Sequence, residues 1–120
     1  MNNKRIGDLG EKLTENHLLK NGYKILEKNY RSKYGEIDLI AQKNDKIFFF
    51  EVKTRKSLNY GLPVEAYTRT KQERLIKTGL IYMNDLSSKK PFQFDFVSII
   101  LNDKDDLIEF KIIENAINIF

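Results

Sequence analysis

Glu36-Ile37-Asp38-Leu39-Ile40-Ala41 and Lys46-Ile47-Phe48-Phe49-Phe50-Glu51-Val52-Lys53 are two β-prone runs on either side of the pair Asn44-Asp45. Asn and Asp tolerate the left-handed backbone of a tight turn, so the stretch reads as a two-residue β-hairpin. With Asn44 and Asp45 as the turn, Asp38 faces Glu51 and Glu36 faces Lys53. Side chains alternate along a strand, which puts Glu36, Asp38, Glu51 and Lys53 on one face and Ile37, Leu39, Ala41, Phe48, Phe50 and Val52 on the other. Opposed carboxylates, with Cβ atoms about 5 Å apart, repel. A hard divalent cation such as Mg²⁺ offsets that repulsion through its affinity for carboxylate oxygen. The alternative is a solvated hairpin face. Ile40, Ile47 and Phe49 share the face and argue against a uniformly wet surface.

Outward from the hairpin, Ile6 to Asn21 reads as a helix, with Ile6, Leu9, Leu13 and His17 near one face and Asn21-Gly22 as its stop. Tyr23 to Glu27 reads as a short strand and Arg31 to Gly35 as a basic loop. Ser57 to Pro63 reads as a loop. Thr70 to Glu73 has the form of a capping box, with Leu75, Ile76, Leu80 and Met83 at helical spacing behind it. Phe92 to Leu101 and Leu107 to Ile113 are β-prone. The order is αβββαββ, an α/β fold in which helices cover an antiparallel hairpin sheet.

The 120 residues fit a single domain spanning 1–120, and 41% hydrophobic residues with eight Phe and six Tyr suffice for a core. There is no cysteine, which excludes disulfides and thiolate metal sites. No run approaches the roughly 20 apolar residues of a membrane span, and no signal-length apolar run follows the polar start. A cytoplasmic protein without membrane association is the expectation. The formal charge is only +4, but Val52 to Lys77 holds Lys53, Arg55, Lys56, Arg69, Lys71, Arg74 and Lys77 against Glu65 and Glu73. Nucleic-acid phosphate suits such a stretch, although solvated helix faces are also lysine-rich.

Two carboxylates around a metal, a lysine beside them and a basic surround fit phosphodiester hydrolysis. The metal polarises a phosphoryl oxygen and acidifies a bound water, and Lys53 orients that water or neutralises phosphate charge. Arg31, Lys33, Arg55, Lys71 and Arg74 are candidates to follow the nucleic-acid backbone. Tyr30, Tyr34, Tyr60 and Tyr67 sit among basic residues and suit base stacking or loop anchoring. Other chemistries lack their parts. His17 is the lone histidine, on the helix stripe, where a half-buried structural role is expected. No serine has a nucleophile-elbow context, and no Gly-rich phosphate loop is present.

Asp38 followed by Glu51-Val52-Lys53 on the next strand resembles the D…(D/E)-X-K signature of the PD-(D/E)XK nuclease superfamily. Gly10-Glu11, Asn29-Tyr30-Arg31, Gly35 to Ala41, Phe50 to Arg55, Gly61-Leu62-Pro63, Lys71 and Glu114-Asn115-Ala116 extend this to a resemblance to the YraN family, a bacterial group with an endonuclease-like fold similar to the archaeal Holliday-junction resolvases. It covers about Gly7 to Ala116. Thr14, His17 and Ile117 depart from the family's usual residues. The resemblance implies a restriction-endonuclease-like αβββαβ core, a mixed sheet with a central antiparallel hairpin flanked by helices. It implies that Glu11 joins Asp38 and Glu51 around Mg²⁺ or Mn²⁺, with the Val52 carbonyl as a further ligand and Lys53 as the catalytic lysine. An exposed helix carboxylate is the plain alternative for Glu11.

The leading expectation is a metal-dependent endonuclease hydrolysing DNA, branched or damaged DNA included. A nucleic-acid-binding protein of nuclease fold with little or no catalysis is the alternative, and an interaction protein with a structural acidic pocket is a third. A branched substrate would suit a homodimer.

Overall fold

Asn44 and Asp45 both have positive φ, 52° and 63°, the backbone that a right-twisted two-residue hairpin requires. In the computed structural model, which describes residues 3–56 and 61–117, they join β2 (Gly35–Lys43) to β3 (Lys46–Arg55). The register runs from Lys43↔Lys46 to Leu39↔Phe50, as the turn dictates. Helix α1 (Asn3–Lys20) and strand β1 (Lys24–Ser32) precede the hairpin. A single 3₁₀ turn (Pro63–Ala66), helix α2 (Arg69–Asp85), β4 (Phe92–Leu101) and β5 (Leu107–Ile113) follow it. Ser57 to Tyr60, expected in a loop, lie outside the described residues.

The five strands form one mixed sheet in the order β1-β2-β3-β4-β5. β3 and β4 pair in parallel, and the other neighbours are antiparallel. Parallel strands need a crossover, and α2 supplies it. The architecture is α/β and compatible with a restriction-endonuclease-like core, with the hairpin at its centre. Among the described residues, no helix is long and apolar enough to cross a membrane.

Each helix covers one sheet face. On the α1 side Leu18 packs with Leu39, Ala41, Phe48, Phe50, Val97, Ile99 and Leu101. On the α2 side Leu75, Tyr82 and Met83 pack with Ile37, Ile40, Ile47, Phe49, Phe94 and Phe96. Burying both faces of β3 explains its nearly continuous apolar run.

Several boundaries differ from the sequence reading. α1 buries Ile6, Gly10, Thr14 and Leu18, one position round from the expected stripe, because Gly10 lets the helix approach β3 closely. His17 is consequently exposed, its ring tilted against Phe110 at 4.6 Å. The cap of α2 is Thr68, whose side chain accepts from the Lys71 N–H at 3.2 Å, so the helix starts before Thr70. The expected loop from Arg31 to Gly35 is mostly strand: Ser32 pairs with Gly35, leaving only Lys33 and Tyr34 to turn.

The strict alternation expected in β2 fails at one residue. Leu39 lies in the α1-side core but Ile37 lies in the α2-side core. β1 switches in step: Lys28 reaches Glu15 of α1, whereas Tyr30 meets Tyr82 of α2. Between them Asn29 adopts φ 54°, a left-handed backbone that Asn tolerates better than most residues. The two strands change faces together at Asn29 and Asp38.

Candidate active site

This change of faces builds the site. The β2–β3 ladder ends at Leu39↔Phe50, so the backbone N–H of Val52 has no ladder partner on β2. Asp38 Oδ2 accepts from it at 2.8 Å. A side chain therefore replaces the ladder where the strands part, holding Asp38 at the gap next to Glu51 rather than in the regular opposed pair that unbroken alternation implies. The Val52 contact with Asp38 is through its N–H.

Glu11 enters from α1. A Cβ on Gly10 would collide with Thr54 Oγ1 of β3, so only glycine permits the helix to sit this close and bring Glu11 beside the strands. Asn29, with its amide nitrogen toward the carboxylates, donates to Glu11 Oε1 (3.3 Å) and Glu36 Oε1 (3.0 Å). Glu36 also pairs with Arg31 at 3.8 Å, its neighbour across β1–β2, and is drawn there rather than to Lys53.

Electrostatics link the acids. Burial, then the charge of Asp38, pushes the Glu51 carboxyl up to about 8, with Lys71 pulling the other way. Burial, then Asp38, raises Glu11 to about 7. Asp38 is raised chiefly by burial, while the hydrogen bonds from Val52 and Glu51 oppose the shift. Such a cluster retains protons near neutrality unless a cation compensates. Lys53 is lowered by burial first, then by Arg55 and Lys71, against the attraction of Glu51 and Asp38. Glu11 and Glu51 thus each feel the charge of Asp38, and Lys53 and Lys71 interact with Asp38 and Glu51.

Of the other expected contacts, Arg55 stands by Lys53, its buried Nε without a hydrogen-bond partner among the described residues. Lys33 and Arg74 line a groove between the β1–β2 turn and α2, together with Ser32, Tyr34, Gly35, Thr70, Glu73 and Lys77. Arg31 is outside that lining: it sits between Tyr30 and Ser32, which both meet α2, and pairs with Glu36.

Asn29 entered the sequence reading only through the resemblance, and Tyr67 only as a candidate for base stacking or loop anchoring. The left-handed backbone makes Asn29 a bridge between α1 and β2, and an Asn within an otherwise β-like run is the signal for it. Tyr67 stacks on Phe96 at 4.6 Å. Among the described residues its buried hydroxyl has no hydrogen-bond partner, and its pKa is raised by burial and then by Glu51. No periodicity marks that residue.

Among the described residues, no group of three or more His, Cys, Asp or Glu forms a ready metal cage. The donor set nonetheless fits Mg²⁺, which binds through one or two carboxylates and keeps several waters. Asp38 and Glu51 supply such a pair, and their raised pKa values mark an unmet need for positive charge.

A family model described as "Uncharacterised protein family UPF0102" matches residues 10–99. A UPF0102 protein of Dictyoglomus thermophilum is 47% identical, over 97% of this chain and 99% of its own. One from Clostridium acetobutylicum is 44% identical, over 98% and 97%, and one from Caldicellulosiruptor saccharolyticus 39%, over 97% and 99%.

Proposed function

The chain belongs to the uncharacterised protein family UPF0102, and from that premise and the site geometry we propose that it is a metal-dependent endonuclease acting on DNA. The observation that carries this reading is the carboxylate cluster at the parting of β2 and β3, with Lys53 and Lys71 acting on it. Asp38 and Glu51 would hold Mg²⁺ or Mn²⁺, with Glu11 and the Val52 carbonyl completing the set. A bound ion supplies Lewis-acid polarisation of the phosphoryl group and a more acidic water.

The protein's own groups do the rest. Lys53 faces the developing phosphate charge, where an ammonium is worth more out of bulk water than in it. Burial and two neighbouring cations lower its pKa, easing transfer of a proton toward the leaving oxygen. Asn29 holds Glu11 in place. Arg31, Lys33, Arg55, Lys71 and Arg74 make sequence-independent phosphate contacts. Branched or damaged DNA is the proposed preference, and a two-fold dimer would set two such sites on one junction.

The absence of a ready three-ligand cage among the described residues favours a second reading, a nucleic-acid-binding protein of the same fold with little turnover. One experiment separates them. Purified protein is incubated with duplex, forked and four-way DNA in Mg²⁺, Mn²⁺ or EDTA, alongside Asp38→Asn and Lys53→Ala. Metal-dependent cutting that both variants lose, with DNA affinity retained, supports the nuclease. Salt-dependent binding without cleavage of any substrate supports the second reading.

A further inference from the structure

Four tyrosines lie among the basic residues near the candidate site, and their surroundings separate them. Tyr30 is packed edge-on against Tyr82 at 5.1 Å, and Tyr67 is buried against Phe96. Tyr60 lies outside the described residues. Tyr34 is different: it occupies a two-residue turn, is 39% exposed, and makes no ring–ring contact among the described residues. Lys33 Nζ and Lys77 Nζ each stand 5.2 Å from its ring centroid.

Tyr34 forms part of a groove of about 490 Å³ between the β1–β2 turn and α2. Arg74 and Lys77 form its basic side, and Glu73 on the same wall is held by Arg69 at 3.2 Å. The wall is braced by a 2.8 Å hydrogen bond between the Ser32 and Thr78 hydroxyls. Helix α2 connects this groove to the carboxylates. Lys71 in its first turn acts on Asp38 and Glu51, and Arg74 and Lys77 follow at intervals of one near-turn, winding round the exposed part of the helix from the carboxylates to the groove. At about 1.5 Å rise per residue, the row from Lys71 to Lys77 is about 9 Å long, enough for a backbone to run one or two phosphates from the site.

Resting on the nuclease reading, we propose that this groove receives an unpaired nucleotide flanking the phosphodiester at the carboxylates. Its base stacks on Tyr34, and its phosphates lie against Arg74 and Lys77. A base inside a duplex has both faces covered by its neighbours and cannot stack on a side chain in a surface groove, whereas an unpaired base has a free face. The arrangement therefore selects DNA with single-stranded character beside the cut: a flap, a gap or an opened branch point. Phosphate contacts alone bind any DNA; the exposed ring supplies the discrimination.

The test is binding in EDTA, so that cleavage plays no part, followed by fluorescence anisotropy on a blunt duplex and on the same duplex carrying a short single-stranded flap. Tyr34→Ala is expected to weaken flap binding about tenfold, the order of one lost base stack, and to leave blunt-duplex binding within twofold. Tyr34→Phe keeps the stacking face and should match the wild type. Lys77→Ala should weaken flap binding more than blunt-duplex binding and lower the salt slope on the flap by about one. Equal losses on both DNAs for Tyr34→Ala, or none on either, overturn the groove assignment while leaving the nuclease reading intact. Absence of salt-dependent binding to either DNA by the wild type overturns both. Tyr34 is at the surface, and an unchanged melting temperature checks that the variants fold.

Discussion

Glu51→Gln should stabilise the metal-free protein, and the gain should grow as pH rises. Glu51 titrates at 4.5 when unfolded and at about 8 in the fold, because it is buried beside Asp38. Between those values the folded chain holds a proton that the unfolded chain releases. Stability is therefore highest below pH 4.5 and falls as pH rises toward 8. At 1.36 kcal/mol per pH unit the full shift corresponds to roughly 5 kcal/mol. Water at the open rim and the proton shared with Asp38 reduce this to about 2 kcal/mol. Glutamine keeps the shape and carries no charge, so it removes Glu51's share of the slope and leaves that of Glu11, which burial and Asp38 raise to about 7. Urea unfolding in EDTA at pH 5 and pH 8.5 measures it. The wild type should lose about 2 kcal/mol between the two, equivalent to about 8 °C in melting temperature for a domain of this size. Glu51→Gln should lose less, the remainder coming from Glu11, and Mg²⁺ at pH 8.5 should stabilise the wild type but not the variant. A wild type that gains stability toward pH 8.5, or a variant with an equal slope, refutes the reasoning.

Gly10→Ala should cost about 1–3 kcal/mol, the usual penalty for overpacking, since its Cβ meets Thr54; adding Thr54→Ala should recover most of it, read by thermal unfolding. Asn29→Ala removes the bridge between Glu11 and Glu36 from a left-handed position and should cost about 1–2 kcal/mol in urea unfolding. Asp45→Gly should stabilise the hairpin by about 0.5–1 kcal/mol, because glycine accepts the positive φ without strain. The exposed Lys90–Asp45 pair lost with it, 3.4 Å long, offsets little.

The hairpin was legible because Asn44-Asp45 permits few registers, and Leu39↔Phe50 to Lys43↔Lys46 follow from that turn alone. The order of helices and strands was equally readable from periodicity. The face switch at Asn29 and Asp38 was not. Alternation assumes an unbroken strand, whereas here the strands reverse faces to place Ile37 and Tyr30 against α2. The carboxylates meet through that irregularity, by way of the Val52 N–H. Glu11 was reachable only through resemblance, since an acidic residue one step past a buried glycine has no local signature. The parallel pairing of β3 and β4 depends on α2 crossing back, which local pattern does not encode.

The proposed divalent-cation site lies between Asp38 and Glu51, and crystals soaked in Mn²⁺, with data collected for anomalous scattering, look for the ion there. One peak is expected between the Asp38 and Glu51 carboxylates, lost in Asp38→Asn. Crystals that show no peak there at millimolar Mn²⁺, or an unchanged peak in Asp38→Asn, would contradict the proposal.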